Sequence, residues 1–152
     1  MAEEERVLAL ALGTFHAALL MVLLVALLQA FGLLSGFLGA VGTLPGVALF
    51  LWLWVIAVFS ARRVLRDVDV LHGNAPVMRV VERAMLFGGL GGAAFVLAFA
   101  ALQSARFGVT GLLFFATFGV LGGVLVGAVF GAALVVLDGA LLLVADRVRA
   151  SA

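Results

Sequence analysis

From Val7 to Ala61 the chain carries no charged side chain, and Pro45 with a cluster of glycines splits that run in two. A soluble domain of 152 residues could not keep so long a stretch uncharged, because its exposed half would face water. A bilayer core is about 30 Å thick and takes about 20 apolar residues per helix, so the run reads as two spans joined by a turn. The second half repeats the arrangement. The expected fold is an all-α membrane protein, four transmembrane helices in a bundle, arranged as two tandem helical hairpins.

Composition agrees with that frame. Hydrophobic residues make up 66% of the chain and the mean hydropathy is +1.37, against roughly 45–50% apolar in soluble domains. Only 11% is charged, too little to coat a soluble surface. All nine basic residues are Arg, and there is no Cys, which removes disulfides, thiolate metal sites and cysteine nucleophiles together. Arg without Lys, among abundant Ala, Val and Gly, points to GC-rich prokaryotic coding. The apolar run from Val7 to Phe31 follows Glu3, Glu4 and Glu5. Cleavable signals want a basic start and a shorter apolar core, so this run reads as a retained first span.

The spans are expected over about 5–30, 43–66, 79–103 and 119–145, within a single domain covering 1–152. Thr43 suits an N-cap with Pro45 in the first helical turn, where a missing N–H costs nothing. Gly73 can close the second helix, and Asn74 can cap the third ahead of Pro76. The connectors at 31–42 and 104–118 are apolar and nearly charge-free; helix extensions and interfacial segments both fit them.

Charge sets the orientation. Arg62, Arg63, Arg66, Arg79 and Arg83 flank the central loop at about 62–79, Arg6 precedes the first span, and Arg147 and Arg149 follow the last. Four spans place all of these on one side and leave Arg106 on the other. Basic residues in short loops mark the cytoplasmic face, so both termini are expected there, in the cell membrane of a prokaryote. A slide of 77 residues lays Glu5-Arg6 on Glu82-Arg83, Asp69 on Asp146, and Gly42-x-Leu44-x-Gly46-Val47 on Gly119-x-Leu121-x-Gly123-Val124. Duplication of a two-span unit would give that likeness, and shared topology alone gives some of it.

Glycine is the most patterned residue. Gly119, Gly123, Gly127 and Gly131 recur at four-residue intervals along the fourth span, and Gly88 and Gly92 form a similar pair on the third. Four residues turn a helix by about 400°, so the glycines line one slowly winding groove. Another backbone can approach there, gaining dispersion contact in a solvent that supplies no hydrophobic drive. The bland reading is packing of the third and fourth spans inside one chain; the functional one is a seam between copies or a sliding surface.

Asp138 is an acid within an apolar stretch, about 12 Å inside a boundary drawn at Asp146-Arg147. A carboxylate at that depth must be protonated, paired or wet, which makes it a functional candidate. The 77-residue slide instead aligns it with Ala61, at the membrane boundary, where Arg63, Arg66 or Arg83 would pair with it. His16 is the one histidine within a span, about 15 Å along the helix from Arg6. Hydrogen bonding through Thr14 or a backbone carbonyl is its bland reading. A His16–Asp138 pair able to carry a proton is the sharper one, since the first boundary puts both at similar depth. Membrane haem would require His16 from two protomers, because His72 belongs to the central turn.

Other features read as structural. Gln29 and Gln103 sit at helix ends, and Trp52 and Trp54 lie within the second span as packing or lipid-facing residues. The arginines at 62, 63, 66, 79 and 83 form a basic anchor suited to anionic headgroups. The sequence shows no phosphate loop, metal-ligand cluster, catalytic triad or nucleic-acid face, so no cofactor and no enzymatic activity are expected. Its partners are the lipid bilayer and either a second copy or a larger membrane complex. The expected function is that of a non-enzymatic self-associating or accessory subunit. The opposing class is a small proton- or cation-coupled carrier or channel using Asp138 and His16.

Overall fold

A computed structural model describes residues 3–68 and 76–151. All secondary structure among them is helical: α1 (Glu3–Ala30), α2 (Leu34–Val41), α3 (Thr43–Val68), α4 (Val77–Phe114), a single π-turn at Phe115–Gly119, and α5 (Val120–Ser151). Four helical stretches are long and apolar enough to cross a membrane: Arg6–Ala30, Thr43–Arg66, Val77–Ser104 and Gly108–Leu141. The all-α four-span architecture is the one expected.

Glycine sets the boundaries. α1 stops where Gly32 turns to a positive φ of 68°, and the Gly32 and Leu33 N–H groups fold back onto the Gln29 and Leu28 carbonyls. Gly42, at φ 71°, separates α2 from α3, and its carbonyl accepts the Gly46 N–H at 3.1 Å. Gly42 therefore holds the cap position expected of Thr43, which becomes the first helical residue. Pro76 is extended and caps α4, its carbonyl accepting the Arg79 N–H at 2.9 Å. The caps expected at Gly73 and Asn74 lie outside the described residues. The connector at 31–42 resolves into the short helix α2.

The second connector behaves differently. α4 carries a break at Gly108, φ 62° and ψ −169°, a region essentially reserved for glycine, where another residue costs about 1–3 kcal/mol. Beyond it the chain is helical from Val109 and runs through the π-turn into α5. The fourth span, Gly108–Leu141, thus begins eleven residues ahead of Gly119, with Gly111 carried inside the helix. The two halves differ at their turns. Gly42 interrupts a helix, whereas Gly119, its counterpart in the 77-residue slide, lies within one.

The helices pack in chain order, α1 on α3, α3 on α4 and α4 on α5. The α4–α5 seam is made of backbone. A Cβ built on Gly88 would collide with the Gly127 carbonyl oxygen, one on Gly92 with that of Gly123, and one on Gly131 with that of Ala84. One on Gly119 would lie 2.9 Å from Val96 Cγ1. Ala84, Gly88, Gly92 and Val96 are therefore met in turn by Gly131, Gly127, Gly123 and Gly119. That antiparallel register has its midpoint at residues 107–108, where Gly108 reverses the chain. The α1–α3 seam is similar, with Gly13 against the Val58 backbone. Ala9, Gly13 and Ala17, again four apart, are all buried.

Small residues occupy the inside and large apolar ones the outside. No large side chain is fully buried among the described residues, while Leu44, Val109, Val129 and Val136 stand at 82%, 74%, 67% and 68% exposure. Water would penalise that distribution. In a bilayer, where lipid tails solvate Leu as well as a protein core does, close backbone approach at small residues is the available packing gain.

Candidate functional site

α3 sits between α1 and α4 and is tied to both by tryptophan. Trp54 Nε1 donates to Thr14 Oγ1 on α1 at 3.0 Å, and Trp52 Nε1 donates to the Ala94 carbonyl on α4 at 3.2 Å. Residues two apart on a helix point about 200° away from each other, which is why adjacent indoles reach opposite neighbours. An indole N–H facing hydrocarbon would otherwise lack an acceptor. A packing or lipid-facing role for Trp52 and Trp54 does not predict these bonds; their two-residue spacing is the signal in the sequence that points to them.

The ionisable residues come together between the first and last helices. His16 Nε2 lies 3.1 Å from Asp138 Oδ1, joining residues 122 apart in sequence. The side chains are 13% and 26% exposed, respectively. Phe15 lies tilted beside the imidazole, with centroids 5.8 Å apart. Thr14, the side-chain partner expected for His16, accepts the Trp54 N–H instead. The arginine partner expected for an interfacial Asp138 is replaced by His16: Arg63 instead stacks on Phe59, 4.9 Å from the ring centroid, and Arg66 and Arg83 make interactions of their own. A carboxylate among apolar neighbours takes the nearest donor at its own depth, and that donor is the imidazole.

The pair fixes how the two hairpins meet. Gly13 touches Val58, a Cβ on Gly91 would lie 2.6 Å from Ile56 Cγ2, and Gly92 faces Gly123. With all helix axes parallel, His16 would stand close to the level of Gly123. Asp138 lies fifteen residues further along α5, about 22 Å. The hydrogen bond therefore excludes a bundle in which all four axes are parallel. α1 and α5 make few other approaches, so the bond bridges the thinnest seam of the bundle.

Chemically, the pair is a donor and an acceptor sharing one proton. With Asp138 ionised, Nε2 is the donor; with the carboxyl protonated, the roles reverse. Among the described residues no group of three or more His, Cys, Asp or Glu side chains could hold a metal ion. The glycines singled out in the sequence (Gly88, Gly92, Gly119, Gly123, Gly127 and Gly131) meet at the α4–α5 seam within one chain. Arg62, Arg66, Arg79 and Arg83 are exposed and Arg63 is half-buried.

Comparison with known proteins adds a family and no activity. The model of a family of unknown function, DUF7965, matches residues 5–152, and the chain belongs to that family. No curated protein and no solved structure matches it.

Proposed function

We propose that this member of a family of unknown function is a small multi-pass membrane protein that handles a proton at the His16–Asp138 pair, as a proton-coupled carrier or channel. The 3.1 Å contact between two ionisable groups in apolar helices supports the reading. Ionisable side chains at such positions are costly and tend to mark ion or proton paths. The thin α1–α5 seam supplies the second requirement, a boundary that can open without breaking the glycine seams. The basic residues flanking the central loop favour insertion with both termini cytoplasmic, in the cell membrane of a prokaryote.

The second reading is a non-enzymatic self-associating or accessory subunit of a membrane complex. The long glycine groove that first suggested it is engaged by α4 within the chain. What still favours it is a pair of glycines facing open space, Gly122 and Gly139, the latter beside Asp138. Liposomes carrying an internal pH dye separate the two. Under an imposed potential, wild-type protein should acidify or alkalinise the lumen faster than empty liposomes, and Asp138→Asn and His16→Gln should each abolish the difference. Flux equal to that of empty liposomes, or unchanged in Asp138→Asn, would rule out proton handling and leave the subunit reading, tested by the crosslinked size of the protein in its native membrane.

A further inference from the structure

The glycine contacts assign a level to every residue of the α4–α5 hairpin. Gly131 meets Ala84, Gly127 meets Gly88 and Gly123 meets Gly92, so the two antiparallel helices keep one register. Seven residues on from Gly131 and seven back from Ala84, Asp138 comes level with Val77, the first residue of α4. Arg83 is level with Ala132 by the same count. Asp138 therefore stands six residues, about 9 Å, nearer than Arg83 to the end of the hairpin that carries the α3–α4 connection.

Charge decides where the bilayer sits on this hairpin. Arg83 and Arg106 lie twenty-three residues apart on α4, about 34 Å, close to the roughly 30 Å of a hydrocarbon core. No charged residue falls between them, nor in the facing stretch 109–132. Arg79 and Glu82 come just outside. A boundary drawn at Asp146-Arg147 instead would carry Arg83 about 21 Å into hydrocarbon, with Glu82 and Arg79 close behind, where ionisable groups are costly. With Arg83 at the boundary, Asp138 lies outside the core, among headgroups and water, and His16 of α1 meets it there. Asp138 is the more exposed member of the pair, and Gly139 beside it faces open space.

We propose that Asp138 is the aqueous end of the pair, exchanging its proton with the side of the membrane that carries the α3–α4 connection. The chemistry rests on the proton-handling reading; the direction rests on the register of the α4–α5 hairpin. A hydronium ion gives its proton to the Asp138 carboxylate and leaves water, and the reverse step restores it. The hydrocarbon-embedded length of α5, 109–132, separates the carboxyl from the opposite side, so onward passage requires the α1–α5 seam to open.

The chain has no native cysteine, so single cysteines report water directly. Gly139→Cys and Gly122→Cys both place a thiol in open space. The first is beside Asp138; the second is level with Ala93, near the midpoint between Arg83 and Arg106. A membrane-impermeant methanethiosulfonate, applied to intact cells and to inside-out vesicles, should label Gly139→Cys at least about tenfold faster than Gly122→Cys, because a thiol in hydrocarbon does not form its reactive thiolate. The labelling should come from the side that labels Gly73→Cys and not from the side that labels Ser35→Cys. Ala140→Cys, also at an exposed position, replaces Gly139→Cys if that variant fails to reach the membrane. Labelling as slow as that of Gly122→Cys from both sides, or labelling from the Ser35 side, would overturn the placement. Liposome flux that fails while Gly139→Cys labels as expected would sink the proton-handling reading alone. Flux that persists with Gly139→Cys unlabelled would sink the direction alone.

Discussion

At the scale of single residues, the His16–Asp138 bond joins two groups that each need the other. Interhelical hydrogen bonds in membranes contribute on average about 0.6 kcal/mol and rarely more than about 1.7. His16→Leu and Asp138→Leu should each lower stability, since each leaves a polar group without its partner. The double replacement should cost less than the sum of the two, with a coupling of about 1 kcal/mol in a denaturation cycle in mixed micelles. Additive losses would mean that the side chains act separately. Both residues were visible in sequence as polar groups in long apolar runs, and counting depth from the flanking arginines puts them at similar depth, which allows a pair without selecting it. The alternative of an arginine partner came from the 77-residue alignment, which equates Asp138 with Ala61. That alignment carries no information about how the helix axes cross, on which the approach of His16 to Asp138 depends.

Helical elements were legible in outline because charge and glycine punctuate them. Gly42 and Gly108 take conformations other residues avoid, yet only the first stands beside a proline that advertises a new helix. Gly108 has no proline near it, and the glycines that follow at Gly111 and Gly119 compete with it as the start of the fourth span. The Ala9–Gly13–Ala17 seam was overlooked because alanine is common in this chain, although its four-residue spacing matches that of the glycines on α5. Those glycines make a local prediction. Gly123→Leu with Gly127→Leu forces side chains into the Gly92 and Gly88 carbonyls, and should cost a few kcal/mol of dispersion contact. Leu134→Ile with Val135→Ile keeps the volume nearly constant and should change stability little. Gly122→Leu, next to Gly123 but facing open space, should also be tolerated. Thermal stability in mild detergent reads all three, and equal loss at positions 122 and 123 would show that α5 packs on a different face.

For the whole molecule, four crossings put the ends of the chain and the α3–α4 connection on one side of the membrane. Single cysteines at Ala2, Gly73 and Ser151 should share one pattern toward an impermeant thiol reagent on intact cells, and those at Ser35 and Ser104 the opposite one. With the termini cytoplasmic, Ser35 and Ser104 are the pair labelled from outside. A mixed pattern within either group would change the number of spans, while an exchange of the two groups would keep the bundle and reverse its insertion.

The 122-residue separation of His16 and Asp138 also sets an order of events during synthesis. Ribosomes add about 5–20 residues per second, so roughly 6–24 s pass between the appearance of the two side chains. For most of that interval the imidazole resides in a half-made protein that lacks α5, which starts at Val120. The first hairpin, closed at Gly13 and Val58, must keep His16 in the bilayer unaided, and arrival of α5 joins the start of the chain to its end. A protein truncated before Asp138 should therefore present an unsatisfied imidazole inside the membrane, a feature by which quality control can tell an unfinished copy from a complete one.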